Sequence, residues 1–114
     1  MAQMLDFNAL KQPTWPVKLK DAHQTVVNLV APSVALVDRL IAMTPELEEA
    51  KKTKDGKTIL AVYHLVAEIM NCNDDGYKFQ AEELRDKYNL TLFDVYAFVA
   101  GYFEFIKEIQ DSKN

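Results

Sequence analysis

LFDVYAFVAGYFEFIKEI, residues 92–109, is the most apolar long stretch of the chain. At about 100° per residue, its apolar side chains cover roughly 240° of a helical wheel, whereas burial of one face needs only ~100°. Asp94, Gly101, Glu104 and Glu108 mark the non-apolar side. The stretch therefore predicts a helix that is the central core element, or a core helix that also contacts another subunit.

The N-terminal part of the chain predicts a β-hairpin. Residues 1–13 are mixed in character and are expected to form an arm. Residues 14–19 alternate apolar and polar side chains, residues 24–30 are rich in β-branched side chains, and a polar turn separates them. Pro16 should lie on a free edge, where its missing N–H breaks no ladder bond. Two strands alone are marginal, so the hairpin must pack on helices or pair with another chain.

Helical spacing of apolar residues continues over most of the remaining chain. Thr44 and Pro45 are expected to restart the first helix as N-cap and first helical residue. Residues 51–57 are expected to form a solvated turn. The predicted fold class is mainly α (α+β), a single domain over residues 1–114 with a hairpin, four or five helices and a frayed tail at 111–114. The predicted helices before the final one span residues 33–43, the segment after Thr44, residues 58–72 and residues 80–88.

Composition narrows the classes of function. The 114 residues suit one domain, and the net charge of −4 argues against a general affinity for nucleic acid or anionic membrane. The single Cys72 cannot form an intrachain disulfide, which fits a reducing cytosol. The N-terminus lacks the pattern of a signal peptide, and charged residues interrupt every apolar run before it reaches the ~18 residues of a membrane span.

The possible catalytic and metal-binding residues are isolated in the sequence. His64 and Glu68 could share one helical face as metal ligands, but no further ligands accompany them. Cys72 could pair with His23 or His64 as nucleophile and base, yet nothing around it is typical of a nucleophile turn or an oxyanion hole. We therefore expect a protein that is not an enzyme, without cofactor, metal or catalytic residues.

Two polar stretches also have ordinary interpretations. Residues 73–76, NDDG, suggest calcium, but the spacing of an EF-hand loop is absent and a helix-ending turn explains them better. Acidic residues 46–49 and the basic run 51–57 are typical of a solvated helix. Alternatively, they could pair head to tail between subunits.

Surplus apolar surface is the remaining feature. The final helix and the helix at 58–72 are both apolar on more than one side, and the hairpin carries Trp15. Apolar surface that the chain itself does not bury usually marks a contact surface for a partner. The pattern therefore favours a binding or self-assembling protein over an enzyme. The alternative is a compact bundle that buries all of it.

The order of these segments resembles a known family. The chain opens with LDFNALKQPTWPVKL and TVVNLVAPSVALVDRL, a hairpin leading into a helix, and its middle helix ends in an Asn-Cys-Asn turn. KFQAEELRDKYNLTLFDVYAFVAGYFEFIKEI completes the pattern. Over residues 4–110 the chain resembles the small tail assembly chaperones of long-tailed (siphovirus-type) bacteriophages of Gram-positive bacteria. The resemblance is one of pattern and order, without a catalytic motif.

The resemblance implies a non-enzymatic protein of the host cell cytoplasm that coats the long, apolar tape measure protein and keeps it soluble. Tail-tube subunits would then displace it, so it would be absent from the mature virion. It also implies a homo-oligomer, either a ring or a helical array. The acidic net charge, independently of the resemblance, predicts no nucleic acid or membrane partner. The alternative is a structural tail-completion or head-tail connector subunit that stays in the virion.

Contact residues follow only from this sequence, because the family offers no catalytic residues. Val95, Val99 and Ile106 are expected to face the core of the chain, with the partner contacts on the margin of the final helix and on the hairpin. Those predicted partner contacts are Trp15, Phe98, Tyr102 and Phe105.

Overall fold

The computed structural model describes residues 3–7, 13–52 and 56–111. An antiparallel pair of strands comes first, followed by five helices, which confirms the predicted hairpin and α+β class. None of the described helices is long and apolar enough to cross a membrane. The elements in chain order are β1 (Thr14–Lys18), β2 (Val26–Val30), α1 (Val34–Ala42), α2 (Thr44–Lys52), α3 (Gly56–Met70), α4 (Ala81–Asp86) and α5 (Leu92–Asp111).

Several predicted segment boundaries fall partly outside the described residues. Of the predicted arm, residues 3–7 and 13 are described, and of the predicted frayed tail only Asp111, which ends α5. The ends of the predicted turn at 51–57 belong instead to α2 and α3, and its residues 53–55 lie outside the described residues.

The hairpin places Pro16 on a free edge, as predicted. Pro16 lies opposite Asn28 in the two-stranded sheet. The other side of β2 is occupied, because the Asn28 carbonyl accepts a 2.9 Å bond from the Asp74 N–H and the Val30 N–H donates a 2.9 Å bond to the Cys72 carbonyl. β2 is therefore flanked on both sides, while among the described residues β1 has only β2 beside it.

The break between α1 and α2 follows from Pro45, which has no N–H to continue the helical ladder. Ser33 caps α1, because its hydroxyl accepts a 3.1 Å bond from the Leu36 N–H. Thr44 was predicted to cap α2 in the same way. Instead, its hydroxyl donates back to the Leu40 carbonyl of α1 at 3.4 Å, so the two helices remain joined at a short bend.

The central helix is α3 rather than α5. Buried side chains cover most of the circumference of α3, and α2, α4, α5 and β2 all contact it. Only Val95, Val99, Tyr102 and Phe105 are buried on α5. The hydrophobic core includes side chains from β2 and all five helices, and Trp15 and Val17 of β1 pack against it. Helix α5 covers one side of that core and leaves part of its own surface exposed.

Candidate partner-binding surface

The four predicted partner residues form one aromatic cluster within the chain. The Trp15 indole of β1 lies against α5, with its ring centroid 5.4 Å from that of Phe98 and 6.1 Å from that of Phe105. Both pairs are stacked, and Tyr102 lies 6.3 Å away in a tilted arrangement. The aromatic side chains therefore hold the hairpin on α5.

Gly101 makes this contact possible. A Cβ atom at residue 101 would lie 2.7 Å from Cζ2 and 2.9 Å from Cη2 of Trp15, closer than such atoms approach each other. Phe98 and Phe105 stand three residues before and four residues after the glycine, so all three lie on one face of the helix. The absence of a side chain at Gly101 thus leaves the space in which the Trp15 indole of the same chain packs.

The predicted division of α5 between core and partner is wrong for two residues. Tyr102 is fully buried and Phe105 is 5% exposed, so neither is accessible to a partner, whereas Trp15 and Phe98 are half-buried. Val95 and Val99 face the core as predicted, and half-buried Ile106 packs against it. The error arose because Gly101 was assigned to the solvent side. A glycine inside a helix usually has a packing reason, and that signal could have located the Trp15 site. The residues whose placement the structure corrects are Tyr102 and Phe105.

The Tyr102 hydroxyl is buried and, among the described residues, has no hydrogen-bond partner. Burial raises the pKa of Tyr102, so the phenol stays neutral. A hydroxyl without a partner in the core is unfavourable by about 1–3 kcal/mol. The stability of the aromatic cluster therefore comes from its packing area rather than from this polar group.

The sequence of residues 91–94, TLFD, predicts a capping box with Asp in place of the usual Glu or Gln, and the structure forms that box at the start of α5. The Asp94 carboxylate accepts bonds from the Thr91 N–H at 2.8 Å and from the Thr91 hydroxyl at 3.0 Å, and the Asp94 N–H donates to that hydroxyl at 3.2 Å. The Lys20 ammonium of the hairpin turn also pairs with Asp94. Lys20, followed by the Thr91 bonds, holds the pKa of Asp94 below its ordinary value. Asp94 therefore links the hairpin turn to the first turn of α5.

Asp94→Asn is expected to lower the free energy of unfolding by about 0.5–1 kcal/mol at neutral pH, through the lost ion pair and helix-dipole interaction. The lowered pKa means that the charge of Asp94 favours the folded state above the ordinary Asp value of 3.8, and that this contribution is lost as the pH falls below it. Urea unfolding of the unmodified chain and of the Asp94→Asn variant, measured from neutral to acid pH, should show that the difference between their free energies of unfolding becomes smaller. Asp38→Asn, at an exposed position on α1, is the control. A difference that is constant with pH would contradict the assignment.

Exposed apolar side chains lie elsewhere on α5. Phe93 is 81% exposed and Phe103 is 40% exposed, and exposed Ala97 and Ala100 lie between them on the same side. We call these four residues the α5 stripe. On α1, Val34 and Ile41 are also exposed. The sequence pattern contained Phe93 and Phe103, but it could not show which aromatic side chains the hairpin would cover.

A groove lies between the hairpin and α5, with a volume of about 340 Å³. Its walls are mostly apolar and include Trp15, Val17, Leu19 and Phe98, while Lys18 and Lys20 supply ammonium groups. We call it the hairpin groove. Its volume is at the low end of the ~300–1,000 Å³ typical of ligand pockets, which suits a few side chains better than a large cofactor.

The polar residues considered as ligands or nucleophiles are engaged in the structure or solvated. His64 is exposed, while Glu68 forms a bidentate pair with Arg39, in which Nη2 to Oε1 is 2.7 Å. The Cys72 thiol is half-buried and contacts the Glu68 carbonyl oxygen at 3.7 Å, and burial raises its pKa. Within the described ranges, no group of three or more His, Cys, Asp or Glu side chains could hold a metal ion.

Residues 73–76 lie in the turn that follows α3, as predicted. The Asp75 carboxylate accepts a 2.7 Å bond from the Asn28 N–H of β2, so it ties the turn to the sheet. Head-to-tail pairing of the acidic and basic runs at 46–49 and 51–57 stays a prediction.

Comparison with known proteins found no match to a family model, to a curated protein or to a solved structure.

Proposed function

We propose that this chain is a bacteriophage tail assembly chaperone that self-associates and coats the tape measure protein in the host cytoplasm. The observation that carries the proposal is the α5 stripe. Phe93 and Phe103 expose aromatic surface on a helix whose opposite side is fixed in the core. Apolar area in water is unfavourable by about 25 cal/mol per Å², so a contiguous stripe is favoured as a contact for a partner.

The geometry of the stripe suits a helical client. From Phe93 to Phe103 the helix rises about 15 Å, at 1.5 Å per residue. A straight, narrow apolar surface of this length matches two to three turns of an amphipathic helix, the mode in which one helix lies along another. Charged Glu104 and Lys107 are exposed near the end of the stripe and would form a polar rim.

The mechanism is multivalent. Each copy covers only a short part of a long client, so one contact is weak. Several copies side by side on the same client raise the effective concentration of each next contact, and the coat as a whole holds tightly. Tube subunits that polymerise along the client can then displace the copies one at a time. The proposal thus accounts for a chaperone that binds firmly in the cytoplasm and is absent from the virion.

The direct test is co-expression with the tape measure protein of the same phage. The client is expected to become soluble and to co-purify with this chain. Purified mature particles are expected to lack the chain. Detection of the chain in those particles at stoichiometric amounts would contradict the proposal and favour a tail-completion or connector subunit.

The α5 stripe can be tested with the double variant Phe93→Ala, Phe103→Ala. Its free energy of unfolding should fall by no more than about 1 kcal/mol, because both rings are exposed. Client binding in the co-expression assay should weaken by about tenfold or more, equivalent to ~1.4 kcal/mol.

The matched control is Val34→Ala, Ile41→Ala, which removes two exposed apolar side chains from α1 instead. It should retain the client. If the α1 pair loses the client and the α5 pair keeps it, the stripe is not the contact surface.

A further inference from the structure

The exposed side of α5 carries side chains at matched distances on either side of Ala100. Ala97 and Phe103 each lie three residues from Ala100, and Phe93 and Lys107 each lie seven residues from it. At about 100° per residue, all five positions fall within an arc of roughly 120° on the helix. All five residues are exposed. The α5 stripe and Lys107 therefore form one surface that is centred on a small residue.

This order of residues suits contact with a reversed copy of the same helix. If two α5 helices pack antiparallel about a two-fold axis at Ala100, Phe103 of one copy lies opposite the small Ala97 of the other, and Lys107 lies opposite Phe93. Ala100 against Ala100 allows the helix axes to approach to about 8 Å. An ammonium group over an aromatic ring is a favourable cation–π contact. Large side chains therefore meet small ones, and a cation meets a ring.

The charges beside α5 are complementary under the same axis. Near the start of α5, Lys18, Lys20 and Asp94 line the hairpin groove, which gives two ammonium groups and one carboxylate. Near the end of α5, Glu108 lies on the same side of the helix, because it lines a pocket together with residues of β1. A two-fold axis perpendicular to the helices keeps the hairpin sides together and reverses the helix ends. Glu108 of one copy therefore comes beside the lysines of the other.

We propose that two copies of this chain pack their α5 stripes against each other as an antiparallel dimer, with the two-fold axis at Ala100. The second copy is reversed, because a parallel copy would place Phe103 against Phe103 and Lys107 against Lys107. The contact of like charges in that arrangement is unfavourable. In the antiparallel dimer, each copy shields the exposed rings of Phe93 and Phe103 of the other from water.

The dimer is weak and exchangeable. A contact made by a few side chains of one helix buries far less than the ~1,200 Å² of a stable interface. Its biological role rests on the proposed function, because the client and the second copy use the same stripe. The dimer protects the apolar surface of the free chain, and a helix of the client takes the place of the second α5. One copy thus binds through its stripe either another copy or the client.

The first test is disulfide formation in the full chain carrying Cys72→Ala, so that each variant has a single cysteine. Ala100→Cys places this cysteine at the two-fold axis, where it meets the same residue of the second copy. Oxidation with glutathione disulfide should link this variant into a covalent dimer. Non-reducing gel electrophoresis measures the yield.

The matched control is Glu104→Cys, which is exposed on the same side of α5. In the antiparallel dimer the two copies of residue 104 lie about 12 Å apart along the helix axes, at 1.5 Å per residue, which is too far for a disulfide. Because only residue 100 meets itself, the Ala100→Cys product should exceed the Glu104→Cys product roughly tenfold. Equal yields, as random collision or a parallel pair would give, overturn the proposal.

Light scattering of the purified chain gives an independent readout. At high concentration the unmodified chain should exceed its monomer mass of 13.0 kDa. The variant Phe93→Ala, Phe103→Ala should remain monomeric with an almost unchanged melting temperature, whereas Val34→Ala, Ile41→Ala on α1 should behave like the unmodified chain. A monomeric unmodified chain, or an α5 variant that keeps the mass of the unmodified chain, would contradict the dimer.

Competition with the client is tested with the Ala100→Cys chain in its oxidised and reduced forms. Tape measure protein is diluted from urea into each form, and the amount left in solution after centrifugation is measured. The reduced chain should hold several times more client in solution than the covalent dimer. Equal amounts would show that the stripe is not shared and overturn that part of the proposal. If neither form holds the client, the proposed function is contradicted, while the dimer stands on the two measurements made without client.

Discussion

Trp15→Ala is expected to lower the free energy of unfolding by about 3 kcal/mol, at the lower end for a large aromatic residue because the side chain is only half-buried. The indole joins β1 to α5, where it stacks on Phe98 and Phe105. Without it, the two-stranded hairpin loses the surface that stabilises it. Urea unfolding followed by far-ultraviolet circular dichroism measures the change. Tryptophan fluorescence is unsuitable, because Trp15 is the only tryptophan and the variant lacks it.

The substitution Gly101→Ala tests the same contact between Trp15 and α5 from the side of the helix. Alanine should favour the helix by about 1 kcal/mol, but its Cβ would overlap the indole, and overpacking of this kind is unfavourable by about 1–3 kcal/mol. We expect a net loss of stability with Trp15 in place. In the Trp15→Ala background the overlap is gone, so the same substitution should raise stability by up to about 1 kcal/mol.

Ala100→Gly is the control for this double-mutant cycle, because Ala100 is exposed on the same helix. It should lower stability by about 1 kcal/mol whether residue 15 is tryptophan or alanine. If Gly101→Ala changes stability in the same direction with tryptophan and with alanine at residue 15, the position of the indole does not depend on the missing Cβ.

The hairpin and the helices could be predicted because each has a local signal. Period-two alternation marks β1, and the 3.6-residue period marks α3 and α5. Pro16 on the edge and the Thr91 capping box also follow from local chemistry, because a proline lacks an N–H and a hydroxyl can bond three residues ahead. The structure confirms both placements.

The side-chain directions on α5 could not be predicted in the same way. Periodicity assigned a broad apolar arc to this helix, but it did not distinguish the part under the hairpin from the part facing water. That distinction depends on Trp15, more than 80 residues away in sequence, meeting Gly101. The prediction therefore selected Tyr102 and Phe105, which the structure buries, and missed Phe93, which it exposes.

The turn after α3 is expected to make a further large contribution to stability, which its sequence indicated only in part. Asn73 was predicted to help end the helix, and its side chain makes four bonds to main-chain groups. Nδ2 donates to the Met70 carbonyl at 2.8 Å and to the Tyr77 carbonyl at 3.0 Å, while Oδ1 accepts from the Asp75 N–H at 3.0 Å and the Tyr77 N–H at 3.1 Å. The main chain of Asn73 also forms a bridge with Leu29 of β2. The Asn73 side chain thus joins the end of α3 to the loop towards α4, and the main chain of the same residue joins this turn to β2.

Asn73→Ala is accordingly expected to lower the free energy of unfolding by about 2 kcal/mol, because four bonds of about 0.5–1.5 kcal/mol each are lost and water replaces part of them. Amide hydrogen exchange should accelerate at the Val30 and Asp74 N–H groups, which bridge β2 and the turn. Asp74→Ala, which removes an exposed neighbouring side chain and keeps the main-chain bond, should change stability by less than about 0.5 kcal/mol. Equal effects of the two substitutions would show that the turn is held by its main chain alone, and the role assigned to the Asn73 amide would be wrong.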